Sequence, residues 1–542
     1  MRYFFLIIST ALLFSCASKE KADLLVYNAV VYTVDSAFTV TQALAVKGGR
    51  IVATGSTDSL RSLFETTKEI DAQGQALYPG FIDAHTHFYR YALGLYSVNL
   101  VGTGSWQEIL DKLKTFAAQH PQGWLIGRGW DQNDWPVKEF PAKAELDQLF
   151  PDRPVMLTRI DGHAAIVNKK ALEMAGIQAG MTLNGGVIEM KMGQLTGILI
   201  DNAVRLVSVK IPEPSAAGIR EALLTAQKNC FAVGLTTVDD CGLGWQEALM
   251  MDSLQQTHEL KMRVYAMLSD AKPNYEYLFK KGPLKTDRMS IRSFKVYADG
   301  ALGSRGACLL EPYSDRPGQQ GFLLSSRAHF DSVARIIAEK GFQMCTHAIG
   351  DSGNRTMLTI YAKYLEGKKD LRWRIEHAQV INEKDFALFG THHIVPSVQP
   401  THATSDMYWA AERLGPQRVK GAYAYKQLLQ QNGWIPLGTD FPVEDISPLK
   451  TFYAATVRQD AKGWPAGGYQ MENALTKQEA LRGMTIWAAR SNFEEGEKGS
   501  LEKGKFADFI LLDHDLMKTG PAAILQTKVT ATYISGELVS QQ

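Results

Sequence analysis

The feature that most restricts the fold is an alternation of short apolar segments with helical segments through the middle of the chain. Eight segments between residues 81 and 442 have the length and composition of strands, and they read FIDAHTH, LTTVDD, RVYAMLS, IRSFKVYADG, FQMCTHAIGD, LRWRIEHA, HIVPSVQP and WIPLGTDFP. Strands that alternate with helices in this way are typical of a parallel sheet that closes on itself. The sequence therefore predicts an α/β protein with a (β/α)8 TIM barrel.

Segments outside this alternation predict two further parts of the fold. Residues 22–80 and 496–542 contain short strands with turn signals, which predicts one small β-sandwich domain built from both chain ends. The barrel is then expected over residues 81–495, with a large insertion at about residues 100–210 after its first strand.

The first residues have the features of an export signal. MRYFFLIISTALLFSCAS has one basic residue, an apolar run shorter than a membrane span, and small residues at its end. Its Leu-Phe-Ser-Cys ending is similar to the bacterial lipoprotein signal, in which the cysteine, here Cys16, becomes lipidated. We expect residues 1–16 to be a lipoprotein-type signal peptide and the protein to be anchored to the cell envelope, periplasmic or surface side, by that lipid alone. A plain signal peptide is the alternative.

Charge and cysteine content restrict the partners. The formal net charge is +1, with no basic block or acidic tail, so we expect a small-molecule partner and no nucleic acid. An oligomer is compatible with the sequence. The later cysteines form no CxxC pair, which gives no support for a zinc ribbon, and whether Cys230 pairs with Cys241 is open.

Polar side chains end six of the eight predicted strands. They are His85, His87, Asp240, Lys295, His347, His377 and Asp440. In barrels of this type the chemistry lies at these strand ends. Alternate strand residues share a face, so the two imidazoles of FIDAHTH lie about 7 Å apart along the strand and can converge on one ion. The pattern predicts a metal site, since imidazole and carboxylate are good ligands for zinc.

Five motifs give a specific resemblance. FIDAHTH, FKVYADG, CTHAIGD, RIEHAQ and GTDFPVE resemble, in this order, the amidohydrolase superfamily, in particular its branch that includes N-substituted formamide deformylase. The likeness extends to GRGWDQNDW and DGHAAIVN in the insertion and to GSLEKGKFADFILLD near the C-terminus. The resemblance implies two divalent metal ions, usually zinc, in the mouth of the barrel.

The resemblance also implies the ligands. One ion would take His85, His87 and Asp440, and the other would take His347 and His377. Lys295 would bridge the two ions as a carbamate formed with carbon dioxide, because an ammonium has no lone pair and is repelled by cations. The alternative is a lysine that extends out of the barrel or pairs with Asp299. Asp240 either orients a ligand or hydrogen-bonds the floor of the barrel.

The implied mechanism uses a hydroxide that bridges the two ions and attacks a polarised carbonyl. Asp440 would act as general base and then as general acid. His163 is the candidate substrate contact or oxyanion donor, with a capping role as the alternative. Trp130 and Asp131 are candidates for the pocket wall, although tryptophans in such a segment are as often core residues.

We therefore expect a hydrolase that acts on a carbon–nitrogen bond, other than a peptide bond, of a small N-acyl or N-formyl compound. A cyclic amidase or an N-acyl amino acid hydrolase is the alternative among enzymes, since one fold serves many substrates. From a different class, the chain could be an inactive ligand-binding protein of the cell surface.

Overall fold

The computed structural model describes residues 19–212, 214–367 and 370–542. Cys16 and the expected signal peptide lie outside these residues and stay a prediction. Over the described ranges, no helix is both long enough and apolar enough to cross a membrane.

Seven parallel strands and one irregular segment form the barrel. The strands are Phe81–Thr86, Leu235–Leu243, Arg263–Ser269, Met289–Tyr297, Gln343–Ala348, Arg374–His377 and Val395–Ser397. Residues 435–440 occupy the eighth position, where Gly438 N donates to Val398 O (3.0 Å) and Asp440 N donates to His85 O (2.7 Å). This segment bonds to both the seventh and the first strand, so it closes the ring. The predicted TIM barrel is confirmed.

The junction between the first strand and the eighth segment is unusually close. The Asp83 carboxylate accepts hydrogen bonds from Thr439 N (2.9 Å) and from Thr439 Oγ1 (2.7 Å). A Cβ at Gly438 would lie 2.6 Å from His85 N, so only glycine allows this approach. The contact fixes the ends that carry His85 and Asp440 next to each other.

Helices surround the barrel, and the helix Pro400–Asp406 reaches its mouth. They are Ala216–Ala232, Trp245–Gln256, Lys272–Lys281, Arg327–Lys340, Asp351–Leu365, Phe386–Thr391, Pro400–Asp406, Ala410–Arg418, Tyr425–Asn432, Pro448–Val457, Lys477–Gly483 and Ile486–Ser491. Arg327–Lys340 shows why such segments are helical. The Ser326 side chain caps its first turn by accepting from His329 N, and Gly341 ends it in the left-handed conformation (φ 74°). Its buried residues recur at helical spacing and face the core.

The insertion lies between the first and second barrel strands and has its own sheet. Its strands, in spatial order, are Gly186–Lys191, Gln194–Asp201, Ala164–Val167, Val155–Arg159, Leu125–Trp130 and Val98–Asn99. Its helices are Trp106–Gln119, Ala144–Leu149, Lys169–Ala175 and Asn202–Ser208. An apolar core around Trp130, Leu157 and Ile198 holds the sheet and the helix Trp106–Gln119 together.

Both ends of the chain build the remaining two sheets. One contains Arg50–Gly55, Ala43–Lys47, Glu20–Tyr27 and Phe64–Asp71, and the other contains Glu537–Gln541, Val529–Ile534, Phe509–Leu512, Ala76–Pro79, Val30–Tyr32 and Val40–Thr41. The strand Phe509–Leu512 pairs antiparallel with Ala76–Pro79, with Leu511 opposite Leu77. The second sheet therefore joins strands from the two ends of the chain.

A buried ion pair ties the C-terminal strands to the barrel. Arg263, the first residue of the third barrel strand, donates from Nε to Asp508 Oδ2 (2.6 Å) and from Nη2 to Asp508 Oδ1 (2.9 Å). Burial alone would raise the pKa of the Asp508 carboxyl, but Arg263 and the Ser535 N–H hold this pKa below its usual range. The pair is bidentate and almost fully shielded from water.

We expect Asp508→Asn to destabilise the protein by about 3–5 kcal/mol, because it leaves the Arg263 charge buried without its partner. Since the pKa of Asp508 is lowered on folding, its contribution is complete above the unfolded pKa of about 4 and is lost as the pH falls towards the folded value. The thermal unfolding midpoint, followed by circular dichroism at neutral pH, measures the effect. Glu537→Gln is the control, since Glu537 pairs with Lys261 at the surface and should cost under about 1 kcal/mol. Equal midpoints for the two variants would contradict the role of the buried pair.

The cysteines of the described residues are free thiols. Cys230 and Cys241, whose pairing the sequence leaves open, are both buried and unpaired.

Candidate metal centre

The two histidines of the first strand are oriented by acceptors behind them. His85 Nδ1 lies 2.5 Å from Glu376 Oε2, and His87 Nδ1 lies 2.9 Å from the carbonyl oxygen of Cys241. An acceptor at Nδ1 fixes the proton there and leaves the Nε2 lone pair for another partner. Both rings thus present Nε2 to the interior of the barrel mouth.

Asp440 faces these nitrogens from the eighth segment. Its Oδ1 lies 3.6 Å from His85 Nε2 and 3.3 Å from His87 Nε2. The backbone of Asp440 has φ 65° and that of His377 has φ 73°, a conformation that residues with a Cβ adopt at a cost. Both side chains are therefore held in place against local backbone preference, as is common at functional sites.

His347 and His377 complete a contiguous group of rings. The His377 ring centroid lies 4.6 Å from that of His85 and 4.7 Å from that of His347. One buried nitrogen on each ring, Nε2 of His347 and Nδ1 of His377, has no hydrogen-bond partner among the described residues. Buried polar atoms normally have a partner, so these point to a ligand site.

Lys295 ends the fourth strand inside the same group. Its side chain is fully buried, and Nζ lies 3.0 Å from His85 Nε2. The alternative pairing with Asp299 does not occur, because the Asp299 carboxylate accepts from the backbone N–H groups of Ile349, Gly350 and Cys308. Lys295 therefore points into the cluster rather than out of the barrel.

The electrostatics of the cluster suit a divalent metal ion. Burial lowers the pKa of His87 to about 3, and it also lowers the pKa values of His85, His347 and His377. These imidazoles are neutral at physiological pH, which is the form that binds a metal. Ligand atoms of His85, His377 and Asp440 all lie within 4.8 Å of one another. The donor set of imidazoles and one carboxylate fits a divalent cation.

His402 is a neighbour that the sequence analysis missed. It lies in the helix Pro400–Asp406, directly after the seventh strand. Its Nε2 is 3.6 Å from Asp440 Oδ2, and its ring stacks on His377 at a centroid distance of 5.7 Å. The sequence does contain one indication of its role. His402 follows Ser397, the last residue of the seventh strand, by five residues, and residues just after barrel strands lie at the face of the barrel that carries the site.

A buried polar network lies behind His85, on the side of the ring that faces Glu376. Arg374 Nε lies 2.6 Å from Glu376 Oε1, and Arg374 Nη1 donates to Asp239 Oδ2 at 2.9 Å. Burial opposes ionisation of Glu376, but Arg374 and His85 outweigh it and lower its pKa, so the carboxylate stays charged. Such a carboxylate behind a ligating histidine fixes the ring and raises its basicity.

Asp240 has neither of the roles considered for it. Its Oδ2 accepts from Tyr89 N (2.9 Å), at the start of the helix Phe88–Gly94 that follows His87. It thus satisfies an N–H at that helix start rather than touching a ligand side chain.

The insertion brings His163 and Asp131 to the cavity but not Trp130. His163 Nδ1 lies 2.6 Å from Asp201 Oδ1, and its ring centroid is 4.9 Å from that of His347. Burial lowers the pKa of His163, but Asp201 outweighs it and the net pKa is raised. Asp131 also lines the cavity, where it pairs with Arg159.

The position of Trp130 corrects the expectation that it lines the pocket. The side chain is completely buried in the core of the insertion, and its Nε1 donates to Leu157 O (2.8 Å). A β-bulge between Arg128 and Trp130, with Gly129 at φ 107°, breaks the alternation of faces. Arg128 therefore faces the cavity while Trp130 turns away.

A cavity of about 770 Å³ lies over the cluster. Its lining includes His87, Lys295, His347, His377, His402, Asp440 and His163, together with the apolar side chains of Tyr91, Leu95, Val98, Val101 and Trp409. This volume falls within the range of sites for small organic molecules, about 300–1,000 Å³. The fold and the site define a metal-dependent hydrolase built on a TIM barrel.

Comparison with known proteins assigns the family. Residues 68–540 match the Amidohydrolase family, and the chain belongs to it. The protein LONG AFTER FAR-RED 3 of Arabidopsis thaliana is 32% identical over 540 residues, covering 95% of this chain and 91% of that protein. N-substituted formamide deformylase of Arthrobacter pascens is 26% identical over 552 residues, covering 96% of this chain and 98% of that enzyme.

A solved structure agrees with this assignment. The crystal structure of an uncharacterized metal-dependent hydrolase from Pyrococcus horikoshii OT3 has a TM-score of 0.75 and 26% sequence identity, and the match covers 92% of this chain and 99% of that one. The resemblance inferred from the sequence motifs is confirmed. The protein is an enzyme of the amidohydrolase type, which acts on carbon–nitrogen bonds.

Proposed function

We propose that the enzyme hydrolyses the amide bond of a small N-acyl or N-formyl compound. The observation that carries the proposal is a cluster of four imidazoles, one carboxylate and a buried lysine, of which His87, His347, His377, Asp440 and Lys295 line one cavity and His85 lies directly behind them. Similarity to N-substituted formamide deformylase supports an acyl or formyl group as the part that is removed.

We propose further that this centre holds two divalent ions, with zinc as the metal. His85, His87 and Asp440 would hold one ion, and His347 and His377 the other, with a carbamate on Lys295 between them. Bound there, such ions supply Lewis acidity towards a carbonyl oxygen and lower the pKa of water. The distance of 3.0 Å from Lys295 Nζ to His85 Nε2 puts the lysine beside a proposed ligand atom, where a carbamate on Nζ would offer oxygen ligands.

The chain's own groups supply the proton transfers. Burial disfavours ionisation of Asp440, but His85 and His87 outweigh it and hold its pKa below the usual range, so the side chain is present as the carboxylate, the form that can accept a proton. Asp440 takes a proton from the attacking water and passes it to the leaving nitrogen. His163, whose Nδ1 is bound to Asp201, can donate from Nε2 to the substrate carbonyl oxygen in its imidazolium form, which burial disfavours but Asp201 favours by raising the pKa of the ring.

Hydrolysis of a matched panel of amides tests this function. The mature protein loaded with zinc is given N-formyl amines, N-acyl amines and cyclic amides of similar size, and the products are separated by chromatography. We expect turnover of the open-chain N-formyl or N-acyl members and its loss with a chelator. Preferential turnover of cyclic amides would replace this function with that of a cyclic amidase. A protein that retains its ligand but turns over no amide with zinc bound would be a binding protein instead.

We also propose that the enzyme is exported and anchored by a lipid on Cys16. The support is the sequence of residues 1–16 alone. We expect Cys16→Ala to move the protein from the membrane fraction to the soluble fraction in a bacterial host, as followed by immunoblot. Cys230→Ala is the control, since that thiol is buried in the barrel domain and plays no part in anchoring. Retention of Cys16→Ala in the membrane fraction would count against lipidation.

A further inference from the structure

Four lysine and arginine side chains line the cavity in the described part of the chain, and three of them are accounted for. They are Arg128, Arg159, Lys295 and Lys450. Arg159 is held between Asp131 and Asp161, and Lys450 Nζ pairs with Asp445 at 2.7 Å. Lys295 belongs to the ligand cluster. Arg128 alone has neither a carboxylate within ion-pair distance nor a place among the proposed ligands.

The guanidinium of Arg128 is only partly satisfied by the protein. Nη2 donates to the carbonyl oxygen of Ile160 at 3.2 Å. Nε is buried and has no acceptor among the described residues. Burial is the main reason that the pKa of Arg128 falls, but only to about 10, so the group is charged at neutral pH. A partly buried charge and a buried, unpaired N–H are both costly, which points to an acceptor from outside the chain.

The acidic groups of the same wall do not supply that acceptor. Asp131 and Asp161 both bind Arg159, and Asp445 binds Lys450. Glu444 accepts from Ser405 Oγ at 2.6 Å. Each of these four carboxylates therefore has its own partner. Of the other acidic groups that line the cavity, Asp406 accepts from Tyr423 Oη and Asp440 faces His85 and His87. The positive charge of Arg128 remains available to the cavity.

The backbone around Arg128 keeps this charge facing the cavity. The bulge at Gly129 separates Arg128 from the turned-away Trp130. At Gly162, a Cβ would stand 3.7 Å from Arg128 Nη1, so glycine leaves the guanidinium uncovered on that side. His163 and five of the six proposed metal ligands line the same cavity, namely His87, Lys295, His347, His377 and Asp440.

We propose that Arg128 binds a carboxylate of the substrate, so that the substrate is an N-acylated compound carrying a free acid group, of the class of N-acyl amino acids. The planar fork of guanidinium N–H donors matches the two oxygens of a carboxylate, which a lysine could not do. This inference rests on the proposed hydrolysis of an N-acyl bond and adds which member of that class the cavity selects.

Pairs of substrates that differ only in the acid group test the assignment. Each N-acyl amino acid is compared with the N-acyl amino alcohol, in which a neutral CH2OH group replaces the carboxylate. We expect the wild-type enzyme to favour the acid by at least about tenfold in kcat/KM, as a charged hydrogen bond can supply. Arg128→Gln should lower kcat/KM for the acid by about 10- to 100-fold, mainly through KM, and leave the alcohol within about threefold. Arg128→Lys should keep part of the preference.

Arg153→Gln is the matched control. Arg153 belongs to the same insertion, but its guanidinium donates to the backbone carbonyls of Gln122 and Gly123 and does not line the cavity. It should leave the preference for the acid unchanged. If Arg128→Gln retains the wild-type preference, or if the wild type has none, the assignment of Arg128 is wrong, while hydrolysis of the neutral amides would still support the proposed function.

A binding measurement separates the two proposals further. 3-Phenylpropionate and 3-phenylpropanol contain no scissile amide, and calorimetric titration of each into the zinc-loaded protein reports recognition of the acid alone. We expect 3-phenylpropionate to bind at least about tenfold more tightly to the wild type than to Arg128→Gln. Equal affinities would overturn the assignment even if no amide is hydrolysed, because a carboxylate bound only by the metal would be indifferent to Arg128.

Discussion

Lys295→Ala is expected to release most of the bound metal and to reduce hydrolysis by at least about 1000-fold. The variant removes the side chain proposed to hold both ions as a carbamate, and it leaves a gap beside His85 that alanine cannot fill. Removal of a single group that stabilises the charge of the transition state lowers kcat by about 100- to 1000-fold, and the loss of metal lowers the rate further. Metal content by atomic emission and kcat/KM on the best amide of the panel measure the two effects.

Two further experiments test whether Lys295 carries a carbamate, as distinct from whether the lysine is needed. Short carboxylates such as formate or acetate should partly restore metal and activity to Lys295→Ala, because they can supply two oxygens in the space left by the side chain. Isotope-labelled bicarbonate should give a carbonyl NMR signal in the wild type and none in Lys295→Arg. Lys363→Ala is the control, since Lys363 forms a surface pair with Asp331. Full metal content and activity in Lys295→Ala would remove the lysine from the site.

Asp440→Asn is expected to lower kcat by about 1000-fold even at saturating metal. Asparagine keeps the size of the side chain and one oxygen, but it cannot take up and return a proton. Positioned acid–base groups contribute about 100- to 10,000-fold. Steady-state kinetics over a series of zinc concentrations separate the loss of proton transfer from any loss of metal affinity.

Asp331→Asn provides the comparison for that measurement, because Asp331 is a surface carboxylate that pairs with Lys363. It should behave as the wild type. A fall in kcat of less than about tenfold for metal-saturated Asp440→Asn would assign the proton transfers to another group, and His402, whose Nε2 is 3.6 Å from Asp440 Oδ2, would be examined next.

The barrel and the clustering of the strand-end side chains could be predicted because both depend on local patterns. Each strand is a short apolar run, and a ligand side chain ends the run, as in FIDAHTH and GTDFP. The parallel strands of a barrel present these ends on one face, so the topology alone predicts that residues distant in sequence become neighbours. The position of Lys295 inside the cluster follows from the same rule.

The remaining features depend on contacts that a linear pattern does not contain. The motif around Trp130 fits a pocket wall and a core position equally well, and the bulge at Gly129, which turns Trp130 into the core, has no signal in the linear pattern. His402 follows the seventh strand within a helix, where no strand pattern marks it. The orientation of His85 by Glu376 joins the first and sixth strands, and only the closed barrel brings them together.

The sheet shared by the two chain ends also sets the order in which the protein can be completed. The strand Ala76–Pro79 emerges early from the ribosome, yet its neighbour Phe509–Leu512 is made only after nearly all of the barrel. Domains at the start of a chain usually fold while synthesis continues. The sheet that contains Ala76–Pro79 cannot be completed until the last strands are made, and an unpaired strand edge is prone to aggregation in the meantime. A chain that stops before residue 509 would therefore contain every barrel strand and still expose the unpaired edge of Ala76–Pro79.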